Sequence, residues 1–387
     1  MPEPVVVAYG RSPIGRAFKG SLIDWRPDDL AALVVEKVLD RVPALDRGAI
    51  DDLICGCGLP GGEQAFNLGR IVSILTRLNC PGTTVTRYCA SSLQTTRMAA
   101  HAIRAGEGEA FLSVGVECTT RYQNGTSDMP QCQNPRLQPG SSDRYPDIYI
   151  QMGETAEIVA ESERISREEM DRFGLRSQER AVAAQDQGFS AREIIPVPLA
   201  GDAVMTADDG PRRNTSMERL AALEPAFRAG GRVTAGNSCP LNDGAAAVVV
   251  MSQSRARELG IPALARIVAT GLSALEPERM GLGPIEAARQ ALARAGMSID
   301  DVDIVEINEA FAAQVIPCAR GLGIDPFDDR LNPHGGAIAL GHPFGMTGAR
   351  ILCTLLNGLE TTGGQIGLET MCVGGGMGMA MVVERLV

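Results

Sequence analysis

The segment TVTRYCASSLQT, residues 84–95, changes abruptly from a strand-like to a helix-like pattern, with a cysteine at the junction. Its first residues favour a strand, and Ser91 or Ser92 is a typical cap for a helix that we expect to run to about Ala105. Cys89 would then lie at a strand-to-helix turn, where the helix dipole favours a thiolate. This position is typical of an activated nucleophile, but a buried structural cysteine fits the same pattern.

Strand-like and helix-like segments alternate along the rest of the chain, which indicates an α/β fold. Val5–Ala8 and Phe111–Val116 are apolar runs typical of buried strands, and a helix is expected to begin at Pro27. The C-terminal part repeats this order, because SIDDVDIVEI (298–307) is similar to AIDDLICG (49–56). We therefore predict a duplicated fold with two similar halves.

An irregular stretch from about Thr119 to Leu241 separates the two halves. It begins with a polar loop that contains several prolines and continues through an amphipathic helical region, Glu154–Gln187. A long insertion in a compact domain usually serves as a lid, a binding arm or an assembly contact, although a tolerated surface insertion is the alternative. We divide the chain into residues 1–118 (completed by about 242–263), an inserted loop domain at 119–241 and a C-terminal half at 264–387.

The composition indicates an ordinary globular protein with an acidic surface. Of the 387 residues, 44% are hydrophobic and 21% are charged, and the net charge is −11. Such a charge does not favour nucleic acid or an anionic membrane as a partner, but a local basic patch could still bind a small anion. The start of the chain lacks the pattern of a signal peptide, and no apolar run is long enough to span a bilayer, so we expect a cytoplasmic protein.

Ten cysteines are spread along the chain. In a reducing compartment we expect them to stay free, most of them as small core residues. Cys55 and Cys57 are separated by a single residue, which is too close for the usual pair of zinc ligands. The sequence therefore predicts no metal site.

A glycine-rich segment, NPHGGAIALGHPFGMTGAR (332–350), contains two of the three histidines in the chain. His342 lies in a glycine-rich turn before a predicted helix and is the best candidate for a general base. His334 is a weaker alternative, and His101 is expected to be structural because it falls in the middle of a predicted helix.

Two more segments carry polar groups at the ends of predicted strands. In ETMCVGGGMGMAMVVERL (369–386), Cys372 is followed by three glycines whose backbone N–H groups could point at a ligand oxygen. In DIVEINEAFAA (303–313), Asn308 could hold a water molecule or a carbonyl group, and an ordinary helix cap is the alternative.

Together and in this order, these segments resemble the motifs of the thiolase superfamily, and the resemblance covers nearly the whole chain. The matching segments are RSPIGRAFKG (11–20), CASSLQ (89–94), GVE (115–117), MGETAE (152–157), DGPRRNTSMERLAALEPAF (209–227), TAGNSCPLNDGAAA (234–247), NEAFA (308–312), GGAIALGHP (335–343) and CVGGGMG (372–378). The resemblance implies an α/β fold in which two similar halves form a layered αβαβα arrangement. It also implies that the loop domain, inserted after the first half, binds coenzyme A (CoA) and contributes to assembly.

The resemblance implies a chemistry as well. Thiolases make or break a carbon–carbon bond next to a CoA thioester, without a metal or redox cofactor, and CoA itself is a substrate. The cysteine that carries the acyl group corresponds to Cys89, the histidine that activates it to His342, and the cysteine that moves the proton to Cys372. One oxyanion hole would use His342 and a water held by Asn308, and the other the backbone N–H groups of Cys89 and Gly374.

The resemblance places a further set of residues near acyl-CoA. Arg212 matches an arginine beside the adenine, and Phe227 and Met280 match positions that line the pantetheine or acyl pocket, although plain core packing is an equal alternative for these two. Within other matching motifs we add the substrate contacts Met152, Cys239 and Phe311.

Some positions depart from the common pattern of the family. Gln151 stands where biosynthetic thiolases often have histidine, and Cys239 replaces the usual serine. Tyr88 and Ala90 flank the nucleophile with uncommon residues. These differences leave the predicted catalytic residues unchanged, but the sequence does not determine which acyl group is preferred.

We expect a thiolase that acts in fatty acid β-oxidation. Two other functions are possible alternatives. A decarboxylating ketoacyl synthase has the same fold, but it pairs its cysteine with two histidines or with histidine and asparagine, so Cys372 favours a thiolase. A non-catalytic thiolase-like subunit usually lacks catalytic residues that this chain keeps. We expect a homodimer or homotetramer, and the sequence does not fix the direction of the reaction.

Overall fold

The protein is described by a computed structural model over residues 1–122, 132–138 and 145–387, so part of the polar loop predicted after Thr119 lies outside the described residues. Its strands are β1 (Pro4–Arg11), β2 (Gly15–Arg16), β3 (Asp52–Cys57), β4 (Gly82–Val85), β5 (Ala110–Cys118), β6 (Val197–Pro198), β7 (Val204–Met205), β8 (Asn242–Ser252), β9 (Ala265–Ala274), β10 (Ile304–Ile307), β11 (Ile366–Val373) and β12 (Met377–Arg385). Its helices are α1 (Pro27–Leu39), α2 (Leu68–Leu75), α3 (Ser91–Ala105), α4 (Thr119–Tyr122), α5 (Met152–Ser162), α6 (Arg167–Asp186), α7 (Met217–Ala221), α8 (Gln253–Glu258), α9 (Gly283–Ala295), α10 (Ala312–Leu322), α11 (Ala337–Leu340) and α12 (Thr347–Thr362).

Two groups of four strands repeat the same order and the same directions. In the first group the order is β3, β5, β8 and β1, and in the second it is β10, β11, β12 and β9. In both groups the first pair is parallel and the next two pairs are antiparallel. The groups join where Val5 and Val6 of β1 pair with Arg266 and Ala265 of β9. The predicted duplication is confirmed by this topology.

One layer of helices lies between the two halves, and further helices cover their outer faces. In β8, Ala247 and Val249 belong to the core beneath α1 and α2, whereas Ala246 and Val248 belong to a core shared by α3 and α12. This alternation follows from the two-residue period of a strand, whose successive side chains point to opposite faces. Helices α9 and α10 cover the outer face of the second half. The layered αβαβα arrangement is therefore confirmed.

The inserted stretch leaves the first half and returns to it at adjacent positions of the sheet. Cys118, at the end of β5, pairs with Asp243, near the start of β8. Between them, α5, α6 and their short connection pack on the second half through side chains that include Ala160, Ile165 and Phe173. We keep the division into two halves and a loop domain as an interpretation of this chain path.

The start of α3 differs in detail from the prediction. Neither Ser91 nor Ser92 caps the helix, because Ala90 occupies the cap position and Ser91 is the first helical residue. The hydroxyl of Ser91 instead donates to the carbonyl of Tyr88 at 2.6 Å and accepts from the N–H of Arg87 at 2.9 Å. The Ser91 side chain thus stabilises the turn that contains Cys89.

Candidate active site

Cys89 lies in a short 3-10 turn, Tyr88–Ala90, between β4 and α3. Tyr88 has φ +44°, a strained conformation for a residue with a side chain, and such strain is common where a turn presents a functional group. Cys89 is 9% exposed, and burial raises the pKa of its thiol to about 12. Because burial raises its pKa, the free thiol is neutral in the resting state.

The second predicted group near this thiol is Gly374, in the turn that follows β11. Its backbone N–H forms a hydrogen bond to the Cys89 sulfur, an interaction that favours the thiolate. A side chain at Gly374 would come within 3.5 Å of the Tyr88 ring, so the absence of one keeps the space beside the turn open. The structure thus brings Gly374 and Cys89 together, as predicted for one oxyanion hole.

His342 is buried, and its two ring nitrogens have different neighbours. Nδ1 lies 2.7 Å from Oγ1 of Thr347, which also lies 2.7 Å from the carbonyl oxygen of Pro343. Because that carbonyl only accepts, both contacts are satisfied when Thr347 donates to Pro343 and accepts from Nδ1–H. Nε2 then carries a lone pair. Burial, and then the charge of Arg350, lower the pKa of His342 to about 3, so the ring is neutral and able to act as a base.

Asn308 follows β10 and lies beside this base. Its Nδ2 is 3.3 Å from Nε2 of His342, and its Oδ1 is buried without a hydrogen-bond partner among the described residues. An unsatisfied buried carbonyl oxygen costs about 1–3 kcal/mol, which favours a water or a substrate group at this position. The structure thus places Asn308 where the sequence predicts it, next to the histidine.

Cys372 is the penultimate residue of β11 and is fully buried. Burial, and then the nearby Cys89, raise the pKa of Cys372 well above its usual range, and Cys239 contributes in the same direction. Cys318 also raises this pKa, with a larger effect than Cys239, so Cys372 lies among several other cysteines. The turn after Cys372 contains Gly375 and Gly376, both with positive φ, which connect β11 to β12.

Glu117 is a supporting residue to which the sequence assigned no role, although GVE was among the matching motifs. It is buried at the end of β5, where its carboxylate accepts from the N–H groups of Gly58 and Gly345 at 2.8 Å each, and from Nε2 of Gln64 at 2.6 Å. A charged residue near the end of an otherwise mostly apolar strand was the signal that could have identified it. Glu117 joins the loop after β3 to the loop after His342.

Two cavities accompany these residues. One, of about 270 Å³, opens beside Cys89 and includes Met152 and Phe344 in its wall. The other, of about 370 Å³, is a cleft that contains Arg16 and Arg212 and shares no lining residue with the first. The first cavity faces the nucleophile, and the second has a basic character.

The other predicted substrate residues lie in different surroundings. The rings of Phe227 and Phe311 meet edge to face with their centres 6.0 Å apart, and Phe227 is partly exposed whereas Phe311 is buried. The N–H of Cys239 donates to the carbonyl of Ala310 at 3.0 Å, which places Cys239 next to the Asn308 segment. Met280 is only 2% exposed, packs in the core beneath α9 and α10, and lines neither cavity. The structure therefore does not bring Met280 to the site.

The sequence matches two family models along most of its length. These are "Thiolase, N-terminal domain" over residues 4–254 and "Thiolase, C-terminal domain" over residues 261–385. The chain belongs to the thiolase family. The family resemblance predicted from the motifs is thus confirmed, and the enzymes of this family are acyltransferases.

Individual thiolases match this chain from end to end. A 3-ketoacyl-CoA thiolase of Serratia proteamaculans is 43% identical, and a beta-ketoadipyl-CoA thiolase of Acinetobacter baylyi is 40% identical; both alignments cover 100% of each chain. The crystal structure of an acetyl-CoA acetyltransferase from Bacillus anthracis superimposes with a TM-score of 0.91 at 36% identity, over 100% of this chain and 99% of that one. Within the described part of this thiolase, no helix is both long and apolar enough to cross a membrane.

Proposed function

We propose that this thiolase transfers acyl groups between acyl-CoA and CoA through an acyl-enzyme on Cys89. It would cleave 3-ketoacyl-CoA into acetyl-CoA and a shortened acyl-CoA, or condense two acetyl-CoA molecules in reverse. The observation that carries the proposal is the arrangement at His342: its neutral ring, with Nδ1–H held by Thr347, leaves Nε2 available as a base beside Asn308. Relatives named for these reactions support the same conclusion.

In the cleavage direction, the first half-reaction begins with transfer of the Cys89 thiol proton to Nε2 of His342. The sulfur attacks the 3-keto carbon, and the N–H groups of Cys89 and Gly374 stabilise the oxyanion, each such donor contributing roughly 3–4 kcal/mol. The bond between C2 and C3 then breaks. The enolate of acetyl-CoA forms against His342 and a water held by Asn308, and it takes a proton from the Cys372 thiol.

The second half-reaction returns both cysteines to their resting state. Incoming CoA gives its thiol proton to the Cys372 thiolate and attacks the acyl group on Cys89. The Cys89 sulfur leaves and recovers its proton from His342. These steps need only the residues present and the two substrates, so we propose that the enzyme uses no metal or redox cofactor.

The nucleotide end of CoA is anionic, and we assign it to the cleft around Arg212. Arg16 and Arg212 line the same cleft, and burial, and then the charge of Arg16, lower the pKa of Arg212. Neither forms an ion pair with a described acidic residue, whereas the neighbouring Arg213 is paired with Asp186. Two cations without a carboxylate partner favour a polyanionic ligand.

A second copy of the chain is the partner that we propose for the surface around β4, in a homodimer or as part of a homotetramer. Strand β4 lies at the end of the sheet order, where its free edge can pair with another strand. Nearby on the chain, Phe66 is 92% exposed and Ile74 is 59% exposed, and α2 also exposes Leu75. Light scattering coupled to size-exclusion chromatography tests this assignment.

We place the reaction in the cytoplasm and in fatty acid breakdown, with support from the names of the bacterial 3-ketoacyl-CoA thiolases. The proposed function is tested by following the disappearance of a 3-ketoacyl-CoA after CoA is added, with Cys89→Ala as the control. Cleavage should require both CoA and Cys89. Cys89-dependent decarboxylation without thiolysis would instead favour the ketoacyl synthase. Binding of acyl-CoA without any turnover would favour the non-catalytic subunit.

A further inference from the structure

Two carboxyl side chains lie next to each other inside the second half. Glu306 of β10 and Glu369 of β11 are partners in the parallel register, so they stand on strands about 4.8 Å apart. Both residues are buried. Ile304 and Met371, two positions away on the same strands, belong to the core shared by α3 and α12. Because side chains alternate along a strand, both carboxyl groups point toward this helix layer.

Arg350 joins the two carboxyl groups from α12, which packs against β10 and β11. Its Nε and Nη1, Oε1 of Glu306 and both carboxyl oxygens of Glu369 are buried without a hydrogen-bond partner among the described residues. Each unmade hydrogen bond costs about 1–3 kcal/mol, and apolar side chains often stabilise such positions better. Stability therefore does not explain this cluster, and an effect of its charge on the site does.

The elements that carry the cluster also hold the His342 ring. Thr347, which contacts Nδ1 of the ring, begins α12, and Arg350 lies three positions later on the same face of the helix. Asn308, which contacts Nε2, comes two residues after Glu306, just beyond the end of β10. Burial, and then the charge of Arg350, lower the pKa of His342. Arg350 is thus the charge that acts on the base.

The other charged groups that act on Glu306 have partners of their own. These groups are Glu193, Glu309 and Arg180. Glu193 forms an ion pair with Arg11, Arg180 forms one with Asp329, and Glu309 accepts hydrogen bonds from the side chains of Ser177 and Asn332. Glu306 and Glu369 are therefore the carboxyl groups near Arg350 whose ionisation no bonded partner fixes.

The two carboxyl groups lose their protons in a defined order. Burial, which outweighs the charge of Arg350, raises the pKa of Glu306 to about 8. Burial also raises the pKa of Glu369 well above its usual range, and an ionised Glu306 raises it further. Two negative charges on adjacent strands repel each other, so Glu306 ionises first and Glu369 keeps its proton.

We propose that Glu306 and Arg350 are positioning residues that set how readily His342 accepts the Cys89 proton. While Glu306 is neutral, the permanent charge of Arg350 disfavours a second positive charge on the ring. Once Glu306 is ionised, it compensates Arg350, and protonation of the ring becomes easier. The inference rests on the proposed function, in which this proton transfer begins the reaction.

The test follows single-turnover acetylation of Cys89 by acetyl-CoA from about pH 6 to about pH 9.5, with intact mass spectrometry as the readout. In the wild-type enzyme the rate should rise about tenfold with a midpoint near pH 8, because His342 becomes a stronger base. Glu306→Gln is neutral at every pH, so its rate should stay at the low-pH level of the wild type. A flat wild-type profile overturns the inference, and so does a rise that persists in Glu306→Gln.

Glu369→Gln is the matched variant, since it makes the same change at the adjacent buried position. Glutamine resembles the protonated carboxyl group that Glu369 keeps, so this variant should retain the rise near pH 8. Equal flattening of the profile in both variants would mean that any change in this core disturbs the base, and it would overturn the role of Glu306. The exposed Glu278→Gln should have the wild-type profile.

Failure of the inference differs from failure of the proposed function. Acetylation of Cys89 at a rate that does not depend on pH leaves the thiolase in place and overturns only the role of Glu306 and Arg350. Absence of acetylation at every pH rejects the proposed function and, with it, the inference. The wild-type profile is decisive even when neither buried variant folds.

Discussion

Thr347 fixes which nitrogen of His342 carries the proton. Its hydroxyl lies 2.7 Å from Nδ1 of the ring and 2.7 Å from the carbonyl oxygen of Pro343, so it donates to the carbonyl and accepts from Nδ1–H. The lone pair is thereby directed to Nε2, where Asn308 lies. Thr347, the first residue of α12 and five positions after the histidine, thus sets the tautomer of the base.

Replacement of Thr347 by valine should therefore slow the chemistry. Valine keeps the shape but removes the acceptor, so the ring is no longer held in one tautomer, and the rate of Cys89 acetylation should fall about 10- to 100-fold. Thr347→Ser, which restores the hydroxyl, is the control. Single-turnover acetylation followed by intact mass spectrometry provides the measurement, and a wild-type rate in Thr347→Val would contradict this role.

Cys89 should be the only residue that carries the acyl group. Incubation with acetyl-CoA should add one acetyl group to the wild-type protein, because this thiol alone combines a strained turn with the cavity and the Gly374 N–H. The adduct should vanish in Cys89→Ala and persist in Cys372→Ala. An adduct that survives in Cys89→Ala would show that another residue is the carrier.

Cys372 should affect turnover far more than loading of the enzyme. A serine hydroxyl is much less acidic than a thiol, so Cys372→Ser should lower kcat for thiolysis by about 10²- to 10⁴-fold while Cys89 is still acetylated. Melting temperature measured on the same protein separates this effect from damage to the core, where Cys372 is fully buried. A lower melting temperature with nearly normal kcat would mean that Cys372 is structural.

Arg212 should influence binding of CoA but not the reaction itself. It lies in the arginine cleft, away from the cavity at Cys89, so its contact is equal in the ground state and the transition state. Arg212→Ala should raise KM for CoA roughly tenfold and change kcat little. Arg257→Ala, which removes an exposed arginine on α8, is the matched control, and the assignment fails when both variants have the same KM.

The stability of the protein should decline between weakly acidic and weakly alkaline pH because of Glu306. Burial, which outweighs the charge of Arg350, raises the pKa of this carboxyl group from 4.5 to about 8. Between these values the folded state holds a proton that the unfolded state has released, so unfolding becomes easier as pH rises. Glu306→Gln should reduce the loss of melting temperature from pH 5 to pH 8 by a few degrees. The exposed Glu278→Gln should not change that loss, and equal slopes in both variants would exclude Glu306 as the cause.

The fold and the central residues of the site were predictable because their signals are local. The repeated strand–helix order reveals the duplication, and the glycines around His342 and after Cys372 mark tight turns within a few residues. The roles of Thr347 and Glu117 were not predicted from the sequence. The role of Thr347 depends on the direction of its side chain, and that of Glu117 depends on partners that are distant in sequence. Glu117 contacts Gly345, which is 228 residues away along the chain.

Two properties of the site could not be judged from the local sequence, for related reasons. The dipole of α3 is a local property that favours the Cys89 thiolate, whereas burial, which raises its pKa to about 12, depends on the packing of the whole protein. Met280 occupies a position that the family resemblance links to substrate, but its side chain packs into the core beneath α9 and α10. A motif gives the place of a residue in the chain and leaves the orientation of its side chain to the tertiary structure.

The pairing of Cys118 with Asp243 has a consequence for how this enzyme can change over time. Because the inserted stretch begins and ends at paired residues of β5 and β8, its surface loops can vary in length without shifting either strand. The stretch supplies Ile148 and Met152 to the cavity beside Cys89 and Arg212 to the arginine cleft, whereas Cys89, His342 and Cys372 come from the two halves. New substrate preferences can therefore arise from changes within this one stretch, while the residues that react stay where the two halves hold them.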